Sequence, residues 1–559
     1  MENWRIKFIF FFLFCFAAVV IFRLYYLQIK KGEHYKALAL GQQISSQEIE
    51  GKRGEIFFRD KSTPLAKTEK RNLIYIYPEK ILKGESEEKV RFLDSILEET
   101  EKEIYSLLGK GKTLKREVSQ ENLEKVRESG LEEDIKTEEL WGRIYPQEEI
   151  ASHIVGFLNE EMEGQYGIEG YYDEILKGVK GFKKEGKSPF GYLTSLFGTK
   201  KENDFQGADI FLTLDYNIQY FSEKVLKEAK EVWDIDSGQV LVSNPNTGKI
   251  LAAAVFPSFN PNKYGQEKDL GTFINPLTQK LFEPGSVFKP LTFAAAIEEN
   301  LIEPNTTYED KGCVELGGPP ICNFQKRVWG EQKMTDVLEE SINTGAVFVE
   351  QKIGENLFLE YLKDFNLFEK TGVDLQGEEF SLNETLKNGY ARDFATASFG
   401  QGIEVTPIQL VQAFSSIANG GYITKPLLVD SIVYPSGEVV EIKPEIKKKV
   451  LSADTCAKLT SMLISVIENG SGRRTKIDGY FIAGKTGTAQ VPLVNGKGYS
   501  QDETIQSFIG FFPALDPEII ILIKLDNPKN STMSGHSVVP LFGELAKYII
   551  DSWQIPPSY

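Results

Sequence analysis

GQVLVSNPNTGKILAAAVF, residues 238–256, reads as a β-hairpin. Gly238–Ser243 is a short apolar strand, Asn244-Pro245-Asn246-Thr247-Gly248 is a turn, and Lys249–Phe256 returns as a second strand. Another strand, Asp209–Asp215 (DIFLTLD), precedes the hairpin. Helical stretches follow at 287–300, 334–352 and 405–419. Late strands are expected at Gly479–Ala483, Thr504–Phe512 and Glu518–Asp526, with a terminal helix at Val538–Trp553. Strands, then a helical insert, then strands again specify an α+β domain with a mainly antiparallel sheet, spanning 205–559. No internal repeat interrupts it.

Upstream the texture changes. Residues from about 40 to 200 are rich in Lys and Glu, and their charge runs read as a solvated face. Ser86–Gly109 spaces Val90, Leu93, Ile96, Leu97 and Ile104 as one amphipathic surface helix. Gly167–Gly181 is a short glycine-bounded helix, and Lys183–Asn203 is a linker or exposed excursion. Phe8–Phe22 is an unbroken apolar run of 15 residues. Trp4, Lys7, Arg23, Tyr25 and Tyr26 extend it at the interfaces towards the ~20 residues that a membrane span requires. The alternative is a cleaved secretory signal, but Arg23 and two bulky tyrosines follow the run where a small-x-small cleavage site would stand. An uncleaved anchor over 1–30 is the expectation. Arg5 and Lys7 before the run are matched by Arg23, Lys30 and Lys31 after it, so charge does not set the orientation.

The 559 residues suggest two to four domains. With 41% hydrophobic and 26% charged residues the chain is neither wholly disordered nor a polytopic membrane protein. Its 81 acidic against 64 basic side chains, net −17 and without a basic stripe, make nucleic acid a poor partner. Three scattered histidines give a histidine-rich metal site or a serine–histidine triad little to draw on, and the four cysteines form no C-x-x-C pair.

Three short motifs carry chemistry, and each has a decoy. Ser286-Val287-Phe288-Lys289 falls at a helix N-terminus after Pro284-Gly285, and its i, i+3 spacing lets the Lys289 amine reach the Ser286 hydroxyl: a nucleophile beside a base. The same S-x-x-K pattern recurs at Ser86–Lys89, in a charged helix. Ser341-Ile342-Asn343 follows a helix with Thr335 as its expected N-cap and places a hydroxyl and an amide at a helix–helix junction; Ser381-Leu382-Asn383 is its rival. Lys485-Thr486-Gly487-Thr488, at the end of a strand, joins an ammonium and two hydroxyls to a glycine that admits close backbone approach, which suits a carboxylate. Lys370-Thr371-Gly372 repeats that pattern in a loop. Each motif alone is weak. The ordered set of Ser286/Lys289, Ser341/Asn343 and Lys485/Thr486/Gly487 is specific.

That trio is the signature of the serine β-lactamases and penicillin-binding proteins. The chain resembles the class B penicillin-binding proteins, membrane-anchored D,D-transpeptidases of peptidoglycan synthesis. The resemblance covers nearly its whole length: RLYYLQI (23–29), RGEIFFRD with PLA (53–66), RIYP with ASHIVGF (143–157), GIEGYYDEIL, TLDYNIQ (213–219), NTGKILAAAVFPSFNPN (246–262) and FGQGIEVTPIQL (399–410). Ile342 stands where S-D-N enzymes have aspartate, and Asp60-Lys61-Ser62 departs from the usual D-R-x of the linker.

The resemblance implies an anchor with a short cytoplasmic tail (1–30), an elongated pedestal or dimerisation-like domain (31–204) and an extracytoplasmic transpeptidase domain (205–559) of the serine β-lactamase-like fold. It implies Ser286 as nucleophile and Lys289 as its base, with Ser341 as a proton relay and Asn343 as a peptide-backbone ligand. Lys485, Thr486 and Thr488 would bind the terminal carboxylate of the stem peptide, with Gly487 beside them in the substrate-binding strand. No metal or cofactor is implied. The partners implied are peptidoglycan stem peptides, β-lactams, the membrane and a glycan polymerase of the SEDS type. A D,D-carboxypeptidase or β-lactamase using the same residues, a silent scaffold and a β-lactam sensor are the alternatives; septal and lateral roles both stay open.

Cys313 and Cys322 enclose VELGGPPI, whose Gly-Gly-Pro-Pro centre favours a chain reversal. Since the resemblance places this segment outside the cytoplasm, a disulfide is the expectation, against two unpaired cysteines. Cys15 lies in the apolar run and Cys456 in a remote helix.

Overall fold

The computed structural model describes residues 3–31, 44–49, 51–82, 86–97, 100–131, 134–178, 181–186, 206–387, 389–492 and 498–559. The chain forms two compact units, one of Met1–Arg53 with Lys177–Gly207 and one of Gly54–Leu176 with Ala208–Tyr559.

In the first unit, helix α1 (Asn3–Tyr25) continues as a wider turn over Tyr26–Lys30. Lys7–Lys30, 24 residues, is long and apolar enough to cross a membrane. At 1.5 Å per residue it reaches about 36 Å against a hydrocarbon core of about 30 Å. Ile44–Ile49 pairs antiparallel with Gly181–Gly186. The excursion expected at Lys183–Asn203 therefore begins inside a strand, and its remainder lies outside the described residues.

The second unit opens with β1 (Ile56–Phe57), β2 (Pro64–Ile76), α2 (Ser86–Leu97), α3 (Glu101–Leu108), β3 (Leu114–Val118), α4 (Gln120–Glu128) and β4 (Ile135–Ile144). The single helix expected over 86–109 is two. Thr100 starts the second one, its N–H donating to Glu103 Oε2 at 3.0 Å. The apolar face is as read: Val90, Leu93, Ile96 and Ile104 pack on Ile74 and Ile76 of β2. Similarly, the one helix expected at 167–181 is a pair, Gly167–Tyr171 and Asp173–Leu176. Strand β1 runs parallel to β5 (Asp209–Leu212), which pairs antiparallel with Val429–Val433, so one sheet ties this segment to the rest of the unit. Arg143 is buried at that joint, donating to Glu169 Oε1 (2.6 Å), Gly54 O (2.7 Å) and Thr68 Oγ1 (2.8 Å). The departing Asp60-Lys61-Ser62 closes as a turn in which Asp60 Oδ1 accepts from the N–H groups of Ser62 and Thr63.

The elements that frame the site are α5 (Tyr216–Trp233), β6 (Ser237–Ser243), β7 (Ile250–Phe256), α6 (Lys289–Glu298), α7 (Met334–Glu339), α8 (Asn343–Ile353), α9 (Pro407–Ala418), α10 (Ala453–Glu468), β8 (Ala483–Pro492), β9 (Tyr499–Phe512), β10 (Ile519–Asp526) and α11 (Val538–Trp553). Five strands form an antiparallel sheet in the order β7-β6-β10-β9-β8. Helices cover both faces. Val240, Val242, Ile519, Ile521 and Ile523 meet α5 and α11, whereas Leu241, Ile520 and Leu522 join the core of α6, α9 and α10. A strand buried on both faces reads as a continuous apolar run, which is why GQVLVS and IIILIKLD do not alternate. The strand expected at Gly479–Ala483 begins only at Ala483 and continues to Pro492, so K-T-G lies within an edge strand and not at its end.

Candidate active site

Gly285 takes φ +62°, which turns the chain into a 3₁₀ turn, Gly285–Phe288; Lys289 then opens α6. Ser286 is thereby left half-buried, while Lys289 is fully buried. Against this turn lies the FGQG loop. Gly285 N–H donates to Gly400 O at 3.0 Å, and a Cβ on Gly400 (φ +79°) would stand 2.2 Å from Gly285 O.

Lys289 Nζ donates to Ser341 O at 2.6 Å and Asn343 Oδ1 at 2.9 Å, with Ser341 Oγ at 3.3 Å. From β8, Lys485 Nζ reaches the same Ser341 Oγ at 3.0 Å, as well as Thr486 O at 3.0 Å. The three motifs named from the sequence thus meet at one hydroxyl. The expected i, i+3 contact between Lys289 and Ser286 is not formed. Lys289 spends its N–H groups on the S-x-N segment, and Ser286 Oγ has no hydrogen-bond partner among the described residues.

Ser341 sits in the left-handed region, φ +56°, and breaks the helix expected over 334–352 into α7 and α8. Such a conformation costs a non-glycine residue energy and recurs at functional sites. Here it turns the Ser341 carbonyl and hydroxyl together towards the two lysines. The N-cap of α7 is Lys333, not Thr335: Asp336 Oδ2 accepts from Lys333 N–H at 2.9 Å, while Thr335 Oγ1 donates to Pro304 O. Asn343 opens α8 and donates from Nδ2 to Cys322 O at 3.3 Å, which fixes its Oδ1 towards Lys289.

Burial, and after it the charge of Lys485, holds the Lys289 amine well below its ordinary pKa; burial alone brings Lys485 down to about 7. A neutral Lys289 can donate its two hydrogens to Ser341 O and Asn343 Oδ1 and keep a lone pair free. On β8, Gly487 faces the Gly285–Phe288 turn so closely that a Cβ would lie 2.9 Å from Val287 Cγ1 and 2.6 Å from Ser507 Oγ. Thr486 Oγ1 meets Ser471 Oγ at 2.9 Å, and the exposed Thr488 meets Ser534 Oγ at 3.0 Å.

The decoys lie elsewhere. In Lys370-Thr371-Gly372 the Thr371 and Gly372 N–H groups donate to the two carboxylate oxygens of Glu378, at 2.6 and 3.0 Å, so this K-T-G already holds a carboxylate of its own chain. Lys89 pairs with Asp134 at 2.7 Å, and Asn383 Oδ1 accepts from Glu404 N–H. Cys313 and Cys322 are disulfide-bonded and face each other in a two-stranded hairpin, with Gly317 and Gly318 at positive φ in its tip. Sequence reading missed Gly400, although the glycines of FGQG signal a close approach, and it missed Ser471, Ser534 and Asp310, which carry no local signal.

Residues 238–547 match the family model for the penicillin binding protein transpeptidase domain, and residues 48–211 match that for the penicillin-binding protein dimerisation domain. Stage V sporulation protein D of Bacillus subtilis is 31% identical over 553 residues, covering 96% of this chain and 83% of that one. The peptidoglycan D,D-transpeptidase FtsI homolog of Mesostigma viride is 30% identical, covering 74% of this chain and 73% of its own. Among solved structures, penicillin binding protein 3 of Mycobacterium tuberculosis, complexed with aztreonam, superposes with a TM-score of 0.71 at 25% identity, covering 92% of this chain and 98% of that one.

Proposed function

This chain belongs to the class B penicillin-binding proteins, and from that premise we propose how its residues carry out peptidoglycan D,D-transpeptidation in cell-wall synthesis. Ser286 Oγ attacks the carbonyl between the two terminal D-alanines of a stem peptide. Its proton passes to the neutral Lys289 amine. The tetrahedral adduct collapses to an ester on Ser286, and D-alanine leaves with a proton relayed through Ser341. An amine of a neighbouring stem peptide then attacks the ester, gives up its proton along the same path and frees Ser286, leaving a new amide cross-link. β-Lactams acylate Ser286 by the first half of this sequence.

The observation that supports this reading best is the convergence of Lys289 and Lys485 on Ser341, the latter two 144 residues apart. Lys289 deprotonates Ser286 because burial keeps it neutral. Lys485 retains its charge when a substrate carboxylate arrives, and that carboxylate is bound with Thr486 and Thr488. Asn343 aligns the peptide backbone. The N–H groups of Ser286 and Thr488 form the oxyanion hole, each donor worth about 3 kcal/mol. Gly487 lets the substrate strand lie against β8.

Residues 1–30 anchor the protein by one span, 31–204 form the pedestal and 205–559 the catalytic domain on the extracytoplasmic side, where peptidoglycan lies. The pedestal docks on a membrane glycan polymerase of the SEDS type. The decisive experiment is labelling by a fluorescent penicillin, with Ser286→Ala as control. Wild-type protein is expected to carry the label covalently and the variant none; label on the variant, or none on the wild type, defeats the assignment.

A further inference from the structure

Asp310 stands at the centre of a buried polar cluster for which the reaction chemistry has no direct use. Its carboxylate, 1% exposed, accepts from Thr344 Oγ1 at 2.6 Å, Trp329 N–H at 2.8 Å, Asn323 Nδ2 at 3.0 Å on both oxygens, and Gly312 N–H at 3.1 Å. No lysine, arginine or histidine pairs with it among the described residues. A buried carboxylate held by neutral donors alone is costly unless every lone pair is used, and here the donors surround it.

Gly312 and Asn323 come from the two ends of the disulfide hairpin, Trp329 from the segment that follows it, and Thr344 from the first turn of α8. Gly312 precedes Cys313, and Asn323 follows Cys322. Asn323 Oδ1 in turn accepts from Thr344 N–H at 3.1 Å. Their chain neighbours belong to the site. Cys322 O receives Asn343 Nδ2 at 3.3 Å, and Asn343, next to Thr344, presents Oδ1 to Lys289 at 2.9 Å. Asp310 thereby fixes two things together: the backbone that carries Asn343, and the carbonyl that decides which end of its amide faces the lysine.

We propose that Asp310 is a positioning residue for transpeptidation, acting through Asn323 and Thr344 to hold the Asn343 amide with its oxygen on Lys289. This rests on the assignment of Lys289 as the base of Ser286. Asparagine at 310 would match the volume but bring two N–H donors into a ring of donors, so either Trp329 N–H on Oδ2 or Gly312 N–H and Thr344 Oγ1 on Oδ1 would lose their acceptor there.

The test uses the full-length protein in detergent and follows penicillin acylation against pH for the wild type, Asp310→Asn, Asn343→Ala, the double variant and Glu378→Gln. Lys485 is the charged group that faces Lys289, and Tyr308, whose hydroxyl lies 3.4 Å from Thr344 Oγ1, has its phenol pushed upward by burial, out of the working range. Asp310→Asn is expected to slow acylation by about ten- to a hundredfold. It should also move the acid limb down by about one pH unit, because losing the Asn343 acceptor favours the neutral amine. Combined with Asn343→Ala it should add almost nothing. Glu378→Gln disturbs an equally internal carboxylate and should lower thermal stability while leaving the limb in place. If Asp310→Asn does not fold, Thr344→Val removes one donor and must give the same shift in the limb. An unmoved limb, or losses that add fully with Asn343→Ala, overturn the proposal. Wild-type protein that no penicillin labels would instead overturn the reading on which it rests, and this assignment with it.

Discussion

Ser341 accepts a hydrogen bond from Lys485 at 3.0 Å while its own backbone is held at φ +56°. In a continuous helix the hydroxyl would point along the helix face, and the S-x-N motif would not meet the strand that carries K-T-G. The junction between α7 and α8 is therefore what joins the two lysines, both fully buried, which the proposed mechanism makes the base and the carboxylate ligand.

The opposite tasks proposed for them predict a bell-shaped pH dependence. Burial and the neighbouring charge hold Lys289 well below its ordinary value, so acylation rises as pH climbs through that depressed pKa and frees the amine. Lys485 is needed charged, and burial brings it to about 7 in the free enzyme. The second-order acylation constant should accordingly fall above about pH 7, whereas the first-order constant at saturating ligand should fall only at higher pH, since the bound carboxylate raises the pKa. Penicillin acylation measured from about pH 5 to 10 decides it. A constant that rises without limit across that range would mean that Lys485 is not titrating as its burial demands.

The two K-T-G sequences should respond oppositely to the same change. Lys485→Ala removes a cation from the cleft and should cost acylation about a hundredfold or more. Lys370→Ala should leave it within about twofold, because the motif there is closed on Glu378. A severe loss in Lys370→Ala, measured by the same labelling, would reverse the choice between them.

These decoys show where sequence reading succeeds and where it stops. The strands over 237–256 and 519–526, the terminal helix Val538–Trp553 and the trio of motifs were legible because apolar runs and motif spacing are local properties. Breaks inside helical stretches were not. The Thr100 cap, which starts a new helix, and the left-handed Ser341 each interrupt a helical stretch at a point where the apolar period continues, so periodicity alone runs across them. Nor does local sequence state which of two K-T-G segments is open: Glu378, only a few residues downstream, fills one of them by folding back. The contacts of Asp310 with Asn323 and Thr344 span 13 and 34 residues and depend on tertiary structure.

Gly400→Ala tests how tightly the FGQG loop sets the Gly285–Phe288 turn that carries Ser286. A methyl group there would stand 2.2 Å from Gly285 O and 2.6 Å from Gly285 N, at a φ of +79° that alanine resists. Both strands of backbone must shift, at a cost of about 1–3 kcal/mol. Because Gly285 immediately precedes Ser286, acylation should fall by about tenfold or more, beyond what the lost stability explains. Glycine at 420, also at positive φ but with open space around its Cβ position, is the control: Gly420→Ala should cost stability and leave acylation near wild type. Equal acylation by both variants would show that the loop does not position Ser286.

The Cys313–Cys322 bridge closes a loop of sequence separation 9, and its hairpin carries the carbonyl that receives Asn343. Constraining so short a loop in the unfolded chain contributes about 2–3 kcal/mol. The hairpin has only two residue pairs of its own, Cys313–Cys322 and Val314–Ile321, and its tip is held from outside by the Arg392 guanidinium on Pro319 O. Without the bridge, Cys322 is held by the single Val314–Ile321 pair beside it, by Asn343 on its carbonyl and through Asn323, whose N–H donates to Gly312 O and whose side chain donates to Asp310. Cys313→Ser with Cys322→Ser is therefore expected to lower the thermal unfolding midpoint and to slow acylation modestly, by less than the loss in Asp310→Asn, which releases both ends of the hairpin and α8 together. Thiol alkylation of denatured, unreduced protein, read by peptide mass, checks that the wild type carries the bridge. A double serine variant that unfolds and acylates like the wild type would mean that the polar cluster by itself holds the hairpin in place.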